Sequence, residues 1–299
     1  MELDSPIIRI SHVYKSYGAT KALKNFSLRV NQGEVVGILG PNGSGKTSAL
    51  SVMLGVTIPD DGEVTWSLSN RRSEVGAMLS PVRFYQNLSL RENLSIVAKL
   101  KDEASCNISS VLALVNLEDR IKNKFSSLTP GLRQRFGFAA ALVGNPSVLL
   151  LDEPTNALDP EAAVEVRELI QKLHGEGKTI VMTSNILAEI EQLCSHVAVL
   201  KRGRRVAFGT KENVFWSQER YLLASSNTSA LLSLFSQCTL LKASELMGET
   251  LAVTLADGVT TEDVNRFAFE NGITLSKIEL QHASFESKFI NLMKEEVLK

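Results

Sequence analysis

The stretch Gly40-Pro41-Asn42-Gly43-Ser44-Gly45-Lys46-Thr47 fits the pattern Gly-x-x-x-x-Gly-Lys-Thr. Before it runs Val35-Val36-Gly37-Ile38-Leu39, an apolar segment that reads as a buried strand. After it, residues 47–54 read as a helix. Strand, glycine loop and helix in that order form the context in which this pattern cradles phosphate. The glycines let successive N–H groups turn inward, and the helix N-terminus adds its partial positive charge. Lys46 is then placed to reach the β- and γ-phosphates, and the Thr47 hydroxyl to bind magnesium. The rest of the loop, with Ser48 in the first helical turn, completes the expected nucleotide-binding set. The segment implies a site for a nucleoside triphosphate.

A distant segment narrows that expectation. Val148-Leu149-Leu150-Leu151-Asp152-Glu153 runs four apolar residues into two acids. Such a run suits a central parallel strand, and ligands sit at the carboxyl ends of such strands. Asp152 is placed to hold magnesium, directly or through water. Glu153 is placed to orient or deprotonate an attacking water.

On these residues and on Leu151-Asp152-Glu153-Pro154-Thr155-Asn156-Ala157-Leu158-Asp159-Pro160, the chain resembles the ATP-binding subunits of bacterial ABC transporters, exporter-like in its tail. The likeness spans about residues 7–210 and rests on several motifs in the family's order. It implies an α/β P-loop fold of ABC type, with a mixed sheet core, an antiparallel β subdomain and a helical subdomain. It also implies ATP and magnesium as ligands, with Tyr17 stacking on adenine and Asp159 in a loop at the nucleotide sandwich. A family glutamine that binds magnesium aligns with Ser80, and a family switch histidine with Asn185. Thr129 and Gly131 fall in the signature loop, which in the family caps the γ-phosphate held by the opposite subunit.

Three positions depart from the family. The signature loop, usually Leu-Ser-Gly-Gly-Gln, reads Leu128-Thr129-Pro130-Gly131-Leu132. Pro130 removes one N–H donor, although Thr129 as N-cap followed by proline is sound helix chemistry. Asn185 offers an amide donor that, unlike imidazole, cannot ionise. His196 reads as a strand-edge residue and no substitute for it. Ser80 can ligate magnesium only if its loop comes close, and Gln86 is six residues away. Slow or partner-dependent hydrolysis is the expectation.

The 299 residues leave room for two domains, and 44% hydrophobic with 22% charged content is ordinary for a globular protein. A formal net charge of −1 argues against a nucleic-acid partner held by bulk electrostatics. Cys106, Cys194 and Cys238 are scattered without metal-ligand spacing, which suits a reducing compartment. No apolar run is long enough to span a bilayer and no leader precedes the acidic start, so a membrane role requires a partner. The expected domains are 1–215 for ATP binding, with a helical subdomain at about 80–141 opened by the capping box Ser89-Leu90-Arg91-Glu92, and 216–299 as an accessory or regulatory domain. Lys201-Arg202-Gly203-Arg204 reads as a hairpin turn.

The tail patterns as strand 221–224, helix 229–238, short strand 239–241, strand 250–255, helix 261–271 capped by Thr261, strand 273–280 and helix 284–294 capped by Ser284. That order approaches a ferredoxin-like β-α-β-β-α-β unit.

The resulting expectation is an ATPase motor subunit, peripheral at the inner face of the cell membrane. It would pair with a membrane-spanning transporter subunit and close as a homodimer or a heterodimer with a related ATPase. One alternative is a regulatory subunit with degenerate hydrolysis, favoured by the three departures. The other is a soluble, non-transport ABC ATPase, disfavoured because neither tandem cassettes nor long coiled-coil insertions occur.

Overall fold

Uninterrupted apolar runs at 35–39, 148–151 and 180–182 must be covered on both faces, and the fold is organised around them. The computed structural model describes residues 6–215, 220–236, 238–281 and 285–294. Two compact units divide the chain, the first ending at Lys211 and the second beginning at Glu212.

In chain order the first unit contributes β1 (Ile8–Tyr17), β2 (Thr20–Val30), β3 (Val35–Leu39), β4 (Asp61–Trp66), β5 (Val75–Met78), β6 (Val148–Asp152), β7 (Thr179–Ser184), β8 (His196–Lys201) and β9 (Arg204–Thr210). The main sheet has the order β5-β6-β7-β3-β8-β9, parallel except where β9 returns antiparallel on β8. That hairpin turns at Arg202 and Gly203, both at positive φ, as residues 201–204 lead one to expect. A second, antiparallel sheet has the order β2-β1-β4.

One apolar cluster joins the two sheets. Val36 and Ile38 of β3, Leu150 of β6 and Val181 of β7 pack with Phe26 and Leu28 of β2. Ala49, Leu50 and Met53 from the helix Lys46–Met53 complete it. Each large side chain so buried contributes about 1.5–3 kcal/mol, so the helix that follows the glycine loop is held firmly against the sheet.

Between β5 and β6 the chain forms the helices Leu90–Leu100, Ile108–Ala113 and Pro130–Leu142. The Ser89–Glu92 capping box is present, with Ser89 accepting from the Glu92 N–H and Glu92 accepting from the Ser89 N–H. Phe84, Phe125 and Phe136 stack with ring centroids 4.8–5.5 Å apart, tying the segment after Ser80 to the third of these helices.

The second unit contains β10 (Arg220–Ser225), β11 (Leu241–Met247), β12 (Thr250–Leu255) and β13 (Leu275–Gln281), ordered β11-β12-β10-β13 and antiparallel throughout. With the helices Thr228–Phe235 and Thr261–Glu270 between strands, this is a split β-α-β arrangement.

Several expected boundaries move here. The helix expected to reach Cys238 stops at Phe235, and the Cys238 thiol accepts the Leu240 N–H as the chain turns toward β11. The strand expected at 239–241 instead begins at Leu241 and continues to Met247. Most of its side chains are exposed, so no apolar alternation marked it. The strand expected from residue 273 begins at Leu275. The N-cap is Thr260, not Thr261, because Asp263 three residues later closes a capping box on Thr260. The expected Ser284 cap lies outside the described residues. Among the described residues no helix is long and apolar enough to cross a membrane.

Candidate active site

Strands β6, β7 and β3 are neighbours in that order, and their register sets Asp152 beside Thr183 and Leu39 beside Ser184. Their carboxyl ends therefore open side by side into one cleft, the position at which parallel sheets bind ligands. The cleft holds about 450 Å³ and is lined by Tyr17, Asn42, Lys46, Thr47, Asp152 and Glu153, among others.

The loop 40–45 needs glycine at two points for want of space. A Cβ on Gly45, whose φ is +109°, would meet the Ala22 carbonyl at 2.4 Å. One on Gly40 would meet the Leu200 carbonyl at 2.4 Å and the Ser44 hydroxyl at 2.6 Å. Inside this loop the Ser44 Oγ is buried without a hydrogen-bond partner. A buried hydroxyl with its proton free is costly unless a ligand oxygen meets it.

Lys46 begins the following helix and is almost wholly buried. Its Nζ donates to the Gly40 carbonyl at 2.9 Å and the Pro41 carbonyl at 3.3 Å, and lies 3.2 Å from Glu153 Oε1. The Thr47 hydroxyl donates to Asp152 Oδ2 at 2.9 Å. Asp152 is inaccessible to solvent, and its other oxygen accepts from the Thr183 hydroxyl at 2.6 Å. The Thr183 oxygen in turn accepts the Glu153 N–H at 2.9 Å. Glu153 has φ +46°, the left-handed region that is unfavourable for a side chain of this size. Its carbonyl accepts from Gln134 Nε2 at 2.7 Å and its Oε2 from Asn156 Nδ2 at 3.1 Å.

Ser80 lies in the same cleft. Its N–H approaches Asp152 Oδ2 at 3.3 Å and its hydroxyl donates to the Asp152 carbonyl at 3.1 Å. The Ser80 loop therefore lies directly beside Asp152. Thr47, Asp152 and Ser80 together present oxygen donors, the set that a small hard cation such as magnesium takes.

Tyr17 ends β1 half-exposed at the rim of the cleft, its hydroxyl 3.5 Å from Thr57 Oγ1. Asn185, just past β7, donates from Nδ2 to Asn42 Oδ1 at 3.1 Å, so it touches the loop's tip and does not line the cleft. His196 pairs with Val36 at the amino end of the sheet, close to Glu34, far along the strand from the phosphate loop.

Thr129, Gly131 and Asp159 do not line this cleft. Thr129 is the N-cap of the helix Pro130–Leu142, accepting from the Leu132 N–H, with Pro130 at the first helical position. Gly131 packs toward Ala157, where an added Cβ would lie 3.3 Å from the carbonyl. Asp159 caps the helix Pro160–Gly175, accepting the Ala162 N–H at 2.8 Å.

Sequence reasoning missed Thr183, Gln134, Asn156 and Glu189. Glu189 is buried on the helix Leu187–Leu193 and accepts from the hydroxyls of Thr155 and Ser184, joining the segment after Glu153 to the end of β7. A usable signal existed for Thr183. A hydroxyl that follows the apolar run 180–182 of a central strand needs a polar partner, and it stands near the strand's carboxyl end.

The ABC transporter family model matches residues 23–156. Over 97% of this chain and 98% of the relative, the sequence is 32% identical to the bacitracin transport ATP-binding protein BcrA of Bacillus licheniformis. The corresponding protein of Enterococcus faecalis is 37% identical over 67% of this chain and 68% of its own. Among solved structures, a dimeric ATP-binding cassette in a post-hydrolysis state with ADP and Pi superposes with a TM-score of 0.60 at 27% identity, covering 68% of this chain and 98% of that one.

Proposed function

The chain belongs to the ABC transporter family as an ATP-binding, ATP-hydrolysing motor subunit, and from that premise we propose how its residues do this work and with what partners. The observation that carries the reading is the convergence of Lys46 and Thr47 with Asp152 and Glu153 at the mouths of β3 and β6. The loop N–H groups and the free Ser44 hydroxyl receive the phosphate oxygens of ATP. Lys46, already between the loop carbonyls and Glu153, neutralises the terminal phosphates. Thr47 and Asp152 would hold magnesium, with Ser80 beside them. Bound there, the ion would supply positive charge against the phosphates.

Glu153 orients the attacking water and accepts its proton, held in place by Thr183, Gln134 and Asn156. Tyr17 stacks on the adenine at the rim. Two such subunits close head-to-tail, so that Thr129 and Gly131 of one complete the site of the other. The dimeric cassette among the similar structures supports that arrangement. Closure and reopening then move a separate membrane-spanning subunit, which keeps this chain at the cytoplasmic face. We read the turnover as slow, because Asn185 is engaged with Asn42 and Pro130 has no N–H to offer the partner's phosphate.

The test is Glu153→Gln. ATP binding by calorimetry should persist, phosphate release should fall about 100-fold or more, and light scattering should detect an ATP-dependent dimer. Unimpaired turnover in this variant would remove Glu153 from its role.

A further inference from the structure

The helix Pro130–Leu142 carries one side chain into the catalytic turn. Gln134, 8% exposed, directs Nε2 to the Glu153 carbonyl at 2.7 Å. That carbonyl belongs to a residue at φ +46°, and it also accepts the Asn156 N–H at 3.0 Å as the turn closes. A left-handed glutamate is strained and persists only where neighbours hold it. Besides that Asn156 N–H, two side chains meet the backbone of Glu153 here: Thr183 at its N–H and Gln134 at its carbonyl. Thr183 comes from the adjacent strand of the same sheet, whereas Gln134 comes from a helix 19 residues earlier in the chain.

That helix is well restrained. Its N-terminus is capped by Thr129, Arg133 Nε donates to the Leu128 carbonyl at 3.0 Å, and Phe136 is wedged between Phe84 and Phe125. Gln134 stands one turn from the Thr129 cap, so a shift of the helix start is delivered directly to the Glu153 peptide.

We propose that Gln134 is a positioning residue for hydrolysis: its amide holds the Glu153 backbone in the left-handed turn that aims the carboxylate at the cleft, linking the start of the helix Pro130–Leu142 to the catalytic base. The inference rests on Glu153 being that base. It deepens the reading by assigning the helix that begins at the signature loop a mechanical contact with its own chain's base. Gln134 touches neither phosphate nor metal in this scheme, so its loss acts on the chemical step and leaves nucleotide binding intact.

Gln134→Met keeps the length and volume of the side chain and removes the donor. Steady-state phosphate release should show kcat reduced about 10- to 100-fold, the scale of a misplacement near 1 Å, with KM and the calorimetric ATP affinity within about twofold of wild type. Gln134→Lys, which restores an N–H donor at similar reach, should recover part of the lost kcat while Gln134→Glu, an acceptor at neutral pH, should not. Equal losses in kcat and ATP affinity, an unchanged kcat in Gln134→Met, or full activity in Gln134→Glu would overturn the proposal. If Gln134→Met fails to fold, the ranking of the lysine and glutamate variants decides alone. Glu153→Gln measured in parallel separates the two readings. Inactive Glu153→Gln with normal Gln134→Met defeats this inference only, whereas active Glu153→Gln defeats the assignment of the base beneath it.

Discussion

Thr183→Val removes one oxygen from the centre of the site and changes almost nothing else. Thr183 is completely buried in β7, and valine occupies its volume, so no cavity term enters. Two interactions are lost. The hydroxyl no longer donates to the charged Asp152 Oδ1 at 2.6 Å, and it no longer accepts the Glu153 N–H at 2.9 Å. A hydrogen bond to a charged group is worth about 1.5–3 kcal/mol and a neutral one about 0.5–1.5, and both partners are left in a buried setting. The expected destabilisation of the first unit is therefore roughly 2–4 kcal/mol. For a unit of this size that lowers the melting temperature by about 4–16 °C. Thr183→Ser keeps both bonds and loses one buried methyl, about 1 kcal/mol. Differential scanning calorimetry of the full chain provides the test, with the first unit's transition identified by its upward shift on adding ATP. If the valine variant melts within about 1 °C of wild type, or the serine variant is the less stable of the two, the hydrogen-bond argument fails.

Removing the phosphate-binding cation by Lys46→Ala should weaken ATP binding about 10- to 100-fold in calorimetric titration, the loss of one or two charge-assisted contacts. Asn185→His should raise phosphate release by up to about tenfold with the membrane partner present, since imidazole reaches further than the amide from the loop's tip at Asn42 toward the γ-phosphate; no gain would remove Asn185 as the limit on hydrolysis. Burial lowers the Lys101 pKa from its ordinary 10.5 to about 8, while its Nζ donates to the Val143 carbonyl at 2.9 Å. Between those two values the unfolded chain binds more protons than the folded one, so stability rises with pH across that window and is flat below it. Lys101→Met should remove that rise, read as melting temperatures compared at about pH 7.5 and 9.5.

Much of the site could be read from short stretches. The glycine loop, Lys46 and Thr47 occupy eight consecutive residues, and Asp152 and Glu153 close one apolar run. Local chemistry was equally legible at Ser89 with Glu92 and at Thr129 with Pro130, because a helix cap involves only residues three apart. The same locality explains the error at Thr261, where two adjacent threonines compete and the acidic residue at 263 decides for the first. β11 was expected too early and too short because its exposed face gave no alternation, and it exists through pairing with β12.

The phosphate loop, the acidic strand end and the family likeness are all written in the residues alone, since each depends on residue types at fixed spacing along the chain. Strand order and register were decided only in the tertiary structure. They set β7 between β6 and β3, and so brought Thr183 onto Asp152 across 31 residues. The contact of Gln134 with the Glu153 carbonyl, and of Glu189 with Thr155 and Ser184, likewise arises from packing between elements. The physical reason is that burial gives a polar side chain a need for a partner but not its identity. The partner is whichever complementary group the sheet and its helices place within about 3 Å.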